Sequence, residues 1–141
     1  MKHSGIILII LLSLSRITYG QPPDSLKFNS LSPAEFQSQI QNSKNALLID
    51  VREFFEYKKS RIKNAINIPS SGKLDHITDT LDKQLDLFFY CTSGFRSKRV
   101  AKFFYDKGFT RLYSLDGGIM AWRKEKLPVE KKRLRAMSRV P

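Results

Sequence analysis

The sequence is poor in cysteine and histidine, with one cysteine and two histidines among 141 residues. A single cysteine cannot form a disulfide within its own chain, and His3 lies almost at the N-terminus, so His76 is the only histidine of the main part of the chain. No cluster of these side chains has the spacing of a metal site, and we expect neither a metal nor a cofactor. Cys91 is therefore either a small core residue or a reactive thiol.

Acidic residues are scarce as well: 13 Asp and Glu stand against 25 Lys and Arg, and the formal net charge is +12. Such an excess attracts anionic partners without identifying them. Much of it lies after Trp122, and residues 130–141 form a predicted basic tail. Because no aromatic residue follows Trp122, base stacking is not available there, and we expect no nucleic-acid partner. The tail is either a solvated segment or one that contacts an anionic membrane surface.

Long apolar runs are also rare, and the longest occupies residues 6–12 (IILIILL). It follows Lys2 and leads to small residues before Gly20, which is the pattern of a signal peptide over 1–20. The run falls short of the ~20 residues that span a bilayer. The sequence therefore predicts an exported protein, periplasmic or secreted, with an uncleaved membrane anchor as the alternative. Residues 21–29 form a predicted linker, and 30–129 form one predicted domain, expected to be monomeric.

Strand and helix patterns alternate along this domain, which favours an α/β fold with a central parallel sheet and helices on both faces. Ser32, Pro33 and Glu35 have the pattern of a capped helix start. Asp50 and Cys91 both follow apolar runs, at the strand ends where such sheets collect reactive groups. The predicted strands are 46–50, 65–69, 86–90 and 111–115, and the predicted helices include 74–85, 97–107 (closed by Gly108) and 119–126 after a tight turn at 117–118.

The segment around Cys91 has the composition of an anion-binding loop. The cysteine ends the apolar run 87–90 and precedes the predicted helix 97–107. A tight loop between them directs backbone N–H groups at the sulfur, and the helix N-terminus adds the positive end of its dipole. Arg96 contributes a permanent positive charge. All three favour the thiolate, so we interpret Cys91 as a reactive residue rather than a core residue.

Four segments of the predicted domain stand in order and at fitting separations: 48–53 (LIDVRE) followed by Glu56 and Tyr57, 61–69 (RIKNAINIP), 91–97 (CTSGFRS) and 115–122 (LDGGIMAW). Together they resemble the single-domain rhodanese family of sulfurtransferases. The chain departs from the usual family pattern at Ser60 and Arg61, where Gly-His is common, and at Asn64, where a glycine usually precedes the alanine.

The resemblance implies that Cys91 carries a persulfide. Sulfur would pass from a small-molecule donor, such as thiosulfate or another persulfide, to Cys91 and then to cyanide or a thiol. It further implies that Arg96 braces the loop and supplies positive potential. The remaining loop residues are Thr92 and Ser93 as hydroxyl donors, Gly94 and Ser97 in the loop itself, and Phe95 as an apolar rim.

The sequence leaves two possible roles for Asp50 and Arg52. They either hold the base of the site together through an ion pair, which we favour, or take part in the chemistry.

Three rival functions remain open. A cysteine-dependent phosphatase would have five residues between cysteine and arginine to surround a phosphate, whereas four separate Cys91 from Arg96. A non-catalytic binding module on the same scaffold would have no need of both residues. A redox or sulfur-carrier partner would use Cys91 for mixed disulfides with another protein.

Overall fold

The computed structural model describes residues 27–131. The predicted signal peptide, residues 21–26 of the predicted linker and residues 132–141 of the predicted tail lie outside this range. Residues 27–131 contain seven strands and five helices. These are β1 (Asn29–Leu31), α1 (Pro33–Asn42), β2 (Ala46–Asp50), α2 (Phe54–Lys59), β3 (Ser60–Arg61), β4 (Ile66–Asn67), α3 (Leu74–Thr80), β5 (Asp86–Tyr90), α4 (Phe95–Asp106), β6 (Leu112–Leu115), α5 (Gly118–Lys124) and β7 (Glu130–Lys131).

The centre of the fold is a five-stranded parallel sheet with strand order β1-β6-β5-β2-β4. All five residues of the middle strand β5 are buried, as expected for a strand covered on both faces. Alternate β5 residues enter different cores: Leu87 and Phe89 pack with α3 and α4, whereas Phe88 and Tyr90 pack with α1 and α5. The predicted α/β class with helices on both faces is confirmed.

The predicted start of helix α1 is confirmed. The Ser32 hydroxyl accepts a hydrogen bond from the Glu35 N–H, and the Glu35 carboxylate accepts one from the Ser32 N–H at 2.9 Å. This reciprocal capping satisfies two donors that the first helical turn leaves without partners. None of the helices in residues 27–131 has the length and apolar character needed to cross a membrane.

The predicted helix 74–85 is too long, because α3 ends at Thr80. Asp82 forms a turn instead: its side chain accepts from the Gln84 N–H at 2.9 Å, and its carbonyl accepts from the Leu85 N–H. A short polar side chain that bonds to nearby backbone competes with helix formation. Leu81 and Leu85 still pack against the core, which explains why the apolar spacing continues past the helix end.

The structure also contains short strands that the sequence did not indicate. β1 adds a parallel edge to the sheet through Asn29–Leu31, so the last residue of the predicted linker lies in a strand. β3 and β7 form a separate antiparallel pair, in which the first two residues of the predicted basic tail bond to Ser60 and Arg61. Strands of two or three residues are too short to show an alternating pattern.

Candidate active site around Cys91

The Cys91 loop lies at the carboxyl end of the parallel sheet, between β5 and α4. Asp50 ends the neighbouring strand β2 and pairs in register with Tyr90, so both predicted strand ends meet at this edge. The Gly94 N–H donates to Cys91 Sγ over 3.1 Å, and Gly94 has a φ of 96°. Only glycine adopts this backbone conformation freely, and the turn brings the amide back onto the sulfur.

The first turn of α5 supports the loop from below. The Ile119 N–H donates to the Cys91 carbonyl at 2.9 Å, and the Met120 N–H donates to the Thr92 carbonyl at 3.2 Å. A Cβ on Gly118 would lie 2.5 Å from both of these carbonyl oxygens. The loop therefore rests on a glycine backbone, and otherwise unpaired helix-end donors hold its carbonyls.

The environment of Cys91 favours the thiolate. Burial raises the pKa of the thiol. The backbone and side chain of Ser97 and the N–H groups of Ser93 and Gly94 lower it by more, so the pKa of Cys91 lies below its ordinary value. The residue is only 1% exposed. A reactant must therefore bring a small group to the floor of the loop, where the lowered pKa of the thiol favours its nucleophilic, ionised form.

Two buried serines lie behind the sulfur. Ser114 Oγ donates to Ser97 Oγ at 3.0 Å, which leaves the Ser97 hydroxyl proton free to donate elsewhere. The Ser97 hydroxyl donates to the Gly94 carbonyl over 3.1 Å, and the same side chain lowers the pKa of Cys91. No sequence signal pairs Ser114 with Ser97, because they lie on β6 and α4 and meet only in the folded chain.

Glu56 is a site residue to which the sequence analysis assigned no role. Its carboxylate accepts from Arg96 at 3.0 and 3.1 Å and from the Thr92 hydroxyl at 2.9 Å. The hydrogen bonds from Arg96 lower the pKa of Glu56 to about 2, although burial opposes the shift. Arg96 also donates to Thr92 Oγ1 at 2.9 Å. Arg96 thus links the loop to α2, Glu56 offsets its charge, and the Thr92 hydroxyl donates to Glu56 rather than to the sulfur.

The remaining loop residues lie at the surface of the site. Ser93 is exposed, and its hydroxyl has no hydrogen-bond partner among the described residues. Phe95 is 69% exposed and has the Arg99 guanidinium over its ring, so an apolar side chain lies at the surface beside the loop. A cleft of about 340 Å³ begins beside Arg96 and runs along α4.

Asp50 and Arg52 form a buried ion pair beside the loop. Arg52 donates to both Asp50 oxygens, the shortest contact being 2.6 Å, and to the Ser60 carbonyl at 2.7 Å. The guanidinium lies over the Tyr90 ring, whose hydroxyl accepts from the Ile62 N–H. Within residues 27–131, these side-chain bonds join β2, β3 and β5 and none reaches Cys91. This arrangement agrees with the structural alternative for the pair.

The positions that depart from the rhodanese pattern fit the same backbone. Asn64 has a φ of 65°, the left-handed conformation for which a glycine is usual and asparagine the next best residue. Arg61 stacks on the Tyr57 ring and pairs with Glu130 at 3.3 Å. His76 lies exposed on α3. In residues 27–131, no group of three His, Cys, Asp or Glu side chains comes together as a metal site.

Comparison with known proteins shows which family this chain resembles. The family model described as "Rhodanese-like domain" matches residues 32–125. YtwF of Bacillus subtilis is 34% identical over 103 residues, which cover 73% of this chain and 98% of that protein. The thiosulfate sulfurtransferase GlpE of Glaesserella parasuis is 30% identical over 105 residues, covering 73% and 94%.

A longer relative and a solved structure extend this comparison. The tRNA uridine(34) hydroxylase of Buchnera aphidicola is 34% identical over 97 residues, which cover 65% of this chain but only 31% of that enzyme. The crystal structure of a rhodanese-related protein from Thermoplasma volcanium superposes with a TM-score of 0.62 at 30% identity, covering 73% of this chain and 98% of that one.

Proposed function

The chain belongs to the rhodanese-like domain family, and we propose that it is an exported sulfurtransferase that carries sulfane sulfur on Cys91. The observation that supports the proposal best is the hydrogen bond of 3.1 Å from the Gly94 N–H to Cys91 Sγ. A loop that directs its amides at the sulfur stabilises both a thiolate and a persulfide anion. The similarity to GlpE supports thiosulfate as one donor.

The first step loads the cysteine. The Cys91 thiolate attacks the outer sulfur of thiosulfate, a new S–S bond forms, and the S–S bond of thiosulfate breaks. Sulfite leaves with the electron pair, so no external oxidant or reductant is needed. The lowered pKa of Cys91 raises the thiolate fraction at neutral pH. The outer sulfur of the persulfide then lies about 2 Å beyond Sγ, toward the mouth of the loop.

The second step releases the sulfur. A thiolate or cyanide attacks the outer persulfide sulfur, the S–S bond to Cys91 breaks, and the electron pair returns to Cys91 as thiolate. The product is an acceptor persulfide or thiocyanate. The loop N–H groups stabilise the returning thiolate as an oxyanion hole stabilises oxygen. Since the two steps share one intermediate, the reaction follows a double-displacement scheme.

The size of the loop supports sulfur over phosphate as the transferred group. Four residues lie between Cys91 and Arg96, and the Arg96 guanidinium is engaged by Glu56 and Thr92 rather than left to clamp three phosphate oxygens. The acceptor is a small thiol or a protein thiol, such as that of an exported redox or sulfur-carrier protein. In this proposal the protein acts as a monomer.

Turnover with thiosulfate and cyanide tests the proposal. The purified chain should form thiocyanate in proportion to enzyme, and Cys91→Ser should form none. Ser93→Ala, which alters an exposed hydroxyl of the same loop, should fold and load sulfur as the control. Hydrolysis of an aryl phosphate that depends on Cys91, with no thiocyanate, would favour the phosphatase instead. Absence of both activities would favour the binding module.

A further inference from the structure

Sulfane-sulfur donors differ in the charge that they bring to the Cys91 loop. Thiosulfate has two negative charges at neutral pH, and its leaving group is sulfite. An organic thiosulfonate or persulfide delivers the same kind of outer sulfur with at most one negative charge. A site distinguishes such donors through the net charge of the side chains around its nucleophile, since each extra charge on the donor interacts with that field once more.

Arg96, the cation of the Cys91 loop, is already engaged by the protein. Its two terminal nitrogens donate to Glu56 at 3.0 and 3.1 Å, and one of them also donates to Thr92 Oγ1 at 2.9 Å. These bonds to Glu56 raise the pKa of Arg96, although burial opposes the shift. The charges of Glu56, the Cys91 thiolate and Glu53 raise it further. The guanidinium therefore interacts with two carboxylates as well as with the sulfur.

Two further ion pairs near the loop are neutral as units. Lys98, in the first turns of α4, bonds to Asp116 at 2.7 Å. Arg52 and Asp50, which end the neighbouring strand region, bond to each other at 2.6 Å and are both buried. Neither pair supplies an uncompensated cation to a donor that approaches Cys91.

Arg99 is the remaining cation beside the loop. Its guanidinium lies over the Phe95 ring, 5.9 Å from the centroid, and it pairs with no carboxylate in residues 27–131. The guanidinium groups of Arg99 and Arg96 are thus matched by two carboxylates, those of Glu53 and Glu56. The side chains around the loop carry no net positive charge.

The loop amides do not replace the missing cation. The Gly94 N–H donates to Cys91 Sγ over 3.1 Å, and the backbones of Ser93 and Ser97 also lower the pKa of that thiol. Because these donors face Sγ, they stabilise the attacking sulfur and not the oxygens of a leaving sulfite. The loop is therefore suited to one anionic sulfur and has no free cationic group for a second negative charge.

From this charge balance, we propose that Glu56 determines the donor specificity of the loop: it favours sulfane-sulfur donors with one negative charge, the organic persulfides and thiosulfonates, over thiosulfate. The proposal rests on the sulfurtransferase function proposed above. Thiosulfate remains a donor, but a less efficient one. Glu56 bonds to Arg96 and Thr92 and not to the sulfur, so it acts through the charge of Arg96 and is not a catalytic residue.

Loading from a thiosulfonate is chemically balanced without a further reactant. The Cys91 thiolate attacks the outer sulfur, a new S–S bond forms, and the S–S bond of the donor breaks. A sulfinate with one negative charge leaves with the electron pair, whereas thiosulfate releases sulfite. The two donors therefore differ by one negative charge both on entry and on release.

A ratio of loading rates tests the proposal. Wild type and variants are incubated with thiosulfate or with methanethiosulfonate, and intact mass gives the second-order rate constant of sulfur loading for each donor. A changed thiolate fraction or a disturbed loop affects both donors, so the thiosulfate-to-methanethiosulfonate ratio reports the charge alone. Glu56→Gln should raise this ratio about fivefold, the effect of one unit charge removed within several ångströms at an effective dielectric constant between those of protein and water.

Two control variants separate charge from structure. Glu56→Asp keeps the carboxylate on a shorter side chain, so it should keep the wild-type ratio even where loading by both donors slows. Asp75→Asn changes the net charge by the same amount as Glu56→Gln. It removes an exposed carboxylate that bonds to Lys107 at 2.6 Å, at the opposite end of α4 from the loop, and should leave the ratio unchanged.

Thermal melts confirm that each variant is folded. If Glu56→Gln unfolds, Glu53→Gln replaces it, because the Glu53 carboxylate also interacts with Arg96, and the ratio should rise in the same direction.

Three outcomes would overturn the specificity proposal alone, each with sulfur loading intact. The first is an unchanged ratio in the folded variant. The second is an equal rise in Asp75→Asn, which would assign the effect to net charge. The third is an equal rise in Glu56→Asp, which would assign it to loop geometry. Wild type that loads from neither donor would instead contradict the sulfurtransferase function, and this proposal with it.

Discussion

Glu56 and Arg96, forty residues apart in the chain, form a two-bond ion pair with nitrogen–oxygen distances of 3.0 and 3.1 Å. The pair links α2 to the first turn of α4 and includes Thr92 of the Cys91 loop. The arginine of the loop is consequently a brace whose charge is largely offset. Its fixed geometry, more than its net charge, is what it supplies to the site.

Removing the Glu56 charge should show how far Glu56 offsets the positive charge of Arg96. In Glu56→Gln, Arg96 keeps its positive charge without a carboxylate partner, so the pKa of Cys91 should fall further below its ordinary value. Loss of a charge-assisted pair should lower the free energy of unfolding by about 1–3 kcal/mol. Asp116→Asn, which removes the exposed ion pair with Lys98, is the control and should change stability by less than about 1 kcal/mol. A higher Cys91 pKa in Glu56→Gln would contradict this account.

Glu56 should also make stability depend on acid pH. Its pKa is about 2 in the folded protein against an ordinary value of 4.5, so the unfolded chain binds the proton more tightly. Its contribution is therefore complete above pH 4.5 and is lost as the pH falls from 4.5 toward 2. Chemical denaturation across this range should show a steeper loss of stability for wild type than for Glu56→Gln. Parallel curves would show that the ion pair does not form in solution.

The serine behind the sulfur should tune the thiolate. Ser97→Ala removes a hydroxyl that lowers the pKa of Cys91, so that pKa should rise toward its ordinary value. The pH dependence of Cys91 alkylation by iodoacetamide measures it directly. Ser93→Ala is the matched control, since the Ser93 side chain is exposed and only its backbone faces the sulfur. An equal shift in both variants would argue against a specific role of Ser97.

The glycine beneath the loop should be intolerant of a side chain. Gly118→Ala places a Cβ at 2.5 Å from the carbonyls of Cys91 and Thr92, so the loop must move and sulfur loading should fall at least about tenfold. Gly108→Ala is the control for backbone strain: Gly108 also has positive φ, but its new Cβ meets only the flexible end of Lys83. It should lose about 1 kcal/mol of stability and keep its sulfur chemistry. If Gly118→Ala loads sulfur as wild type does, α5 does not support the Cys91 loop in the way described.

Short uninterrupted apolar runs made much of the fold predictable. β5 and β2 each contain one, at residues 87–90 and 46–49, because both faces of the sheet are covered, and α1 carries its own start signal in Ser32 and Glu35. β1, β3 and β7 were not predictable, since two or three residues carry no period and their pairing is set by tertiary contacts. The end of α3 depended on one side-chain bond of Asp82.

The residues of the site also fall into those that the sequence indicates and those that it does not. Cys91, Gly94 and Arg96 are adjacent in sequence, so a local pattern indicates them. Glu56 and Ser114 reach the site only through the fold, and nothing in their sequence spacing relates them to Cys91. Only the three-dimensional structure therefore shows that Glu56 offsets the charge of Arg96.

The most direct measurement is the intact mass of the protein after incubation with thiosulfate and removal of excess donor. The account predicts that wild type gains the mass of one sulfur atom, that cyanide removes it, and that Cys91→Ser never gains it. Ser93→Ala should gain it as wild type does. A protein that remains at its original mass with thiosulfate and with every persulfide donor tried would contradict the claim that Cys91 carries sulfur.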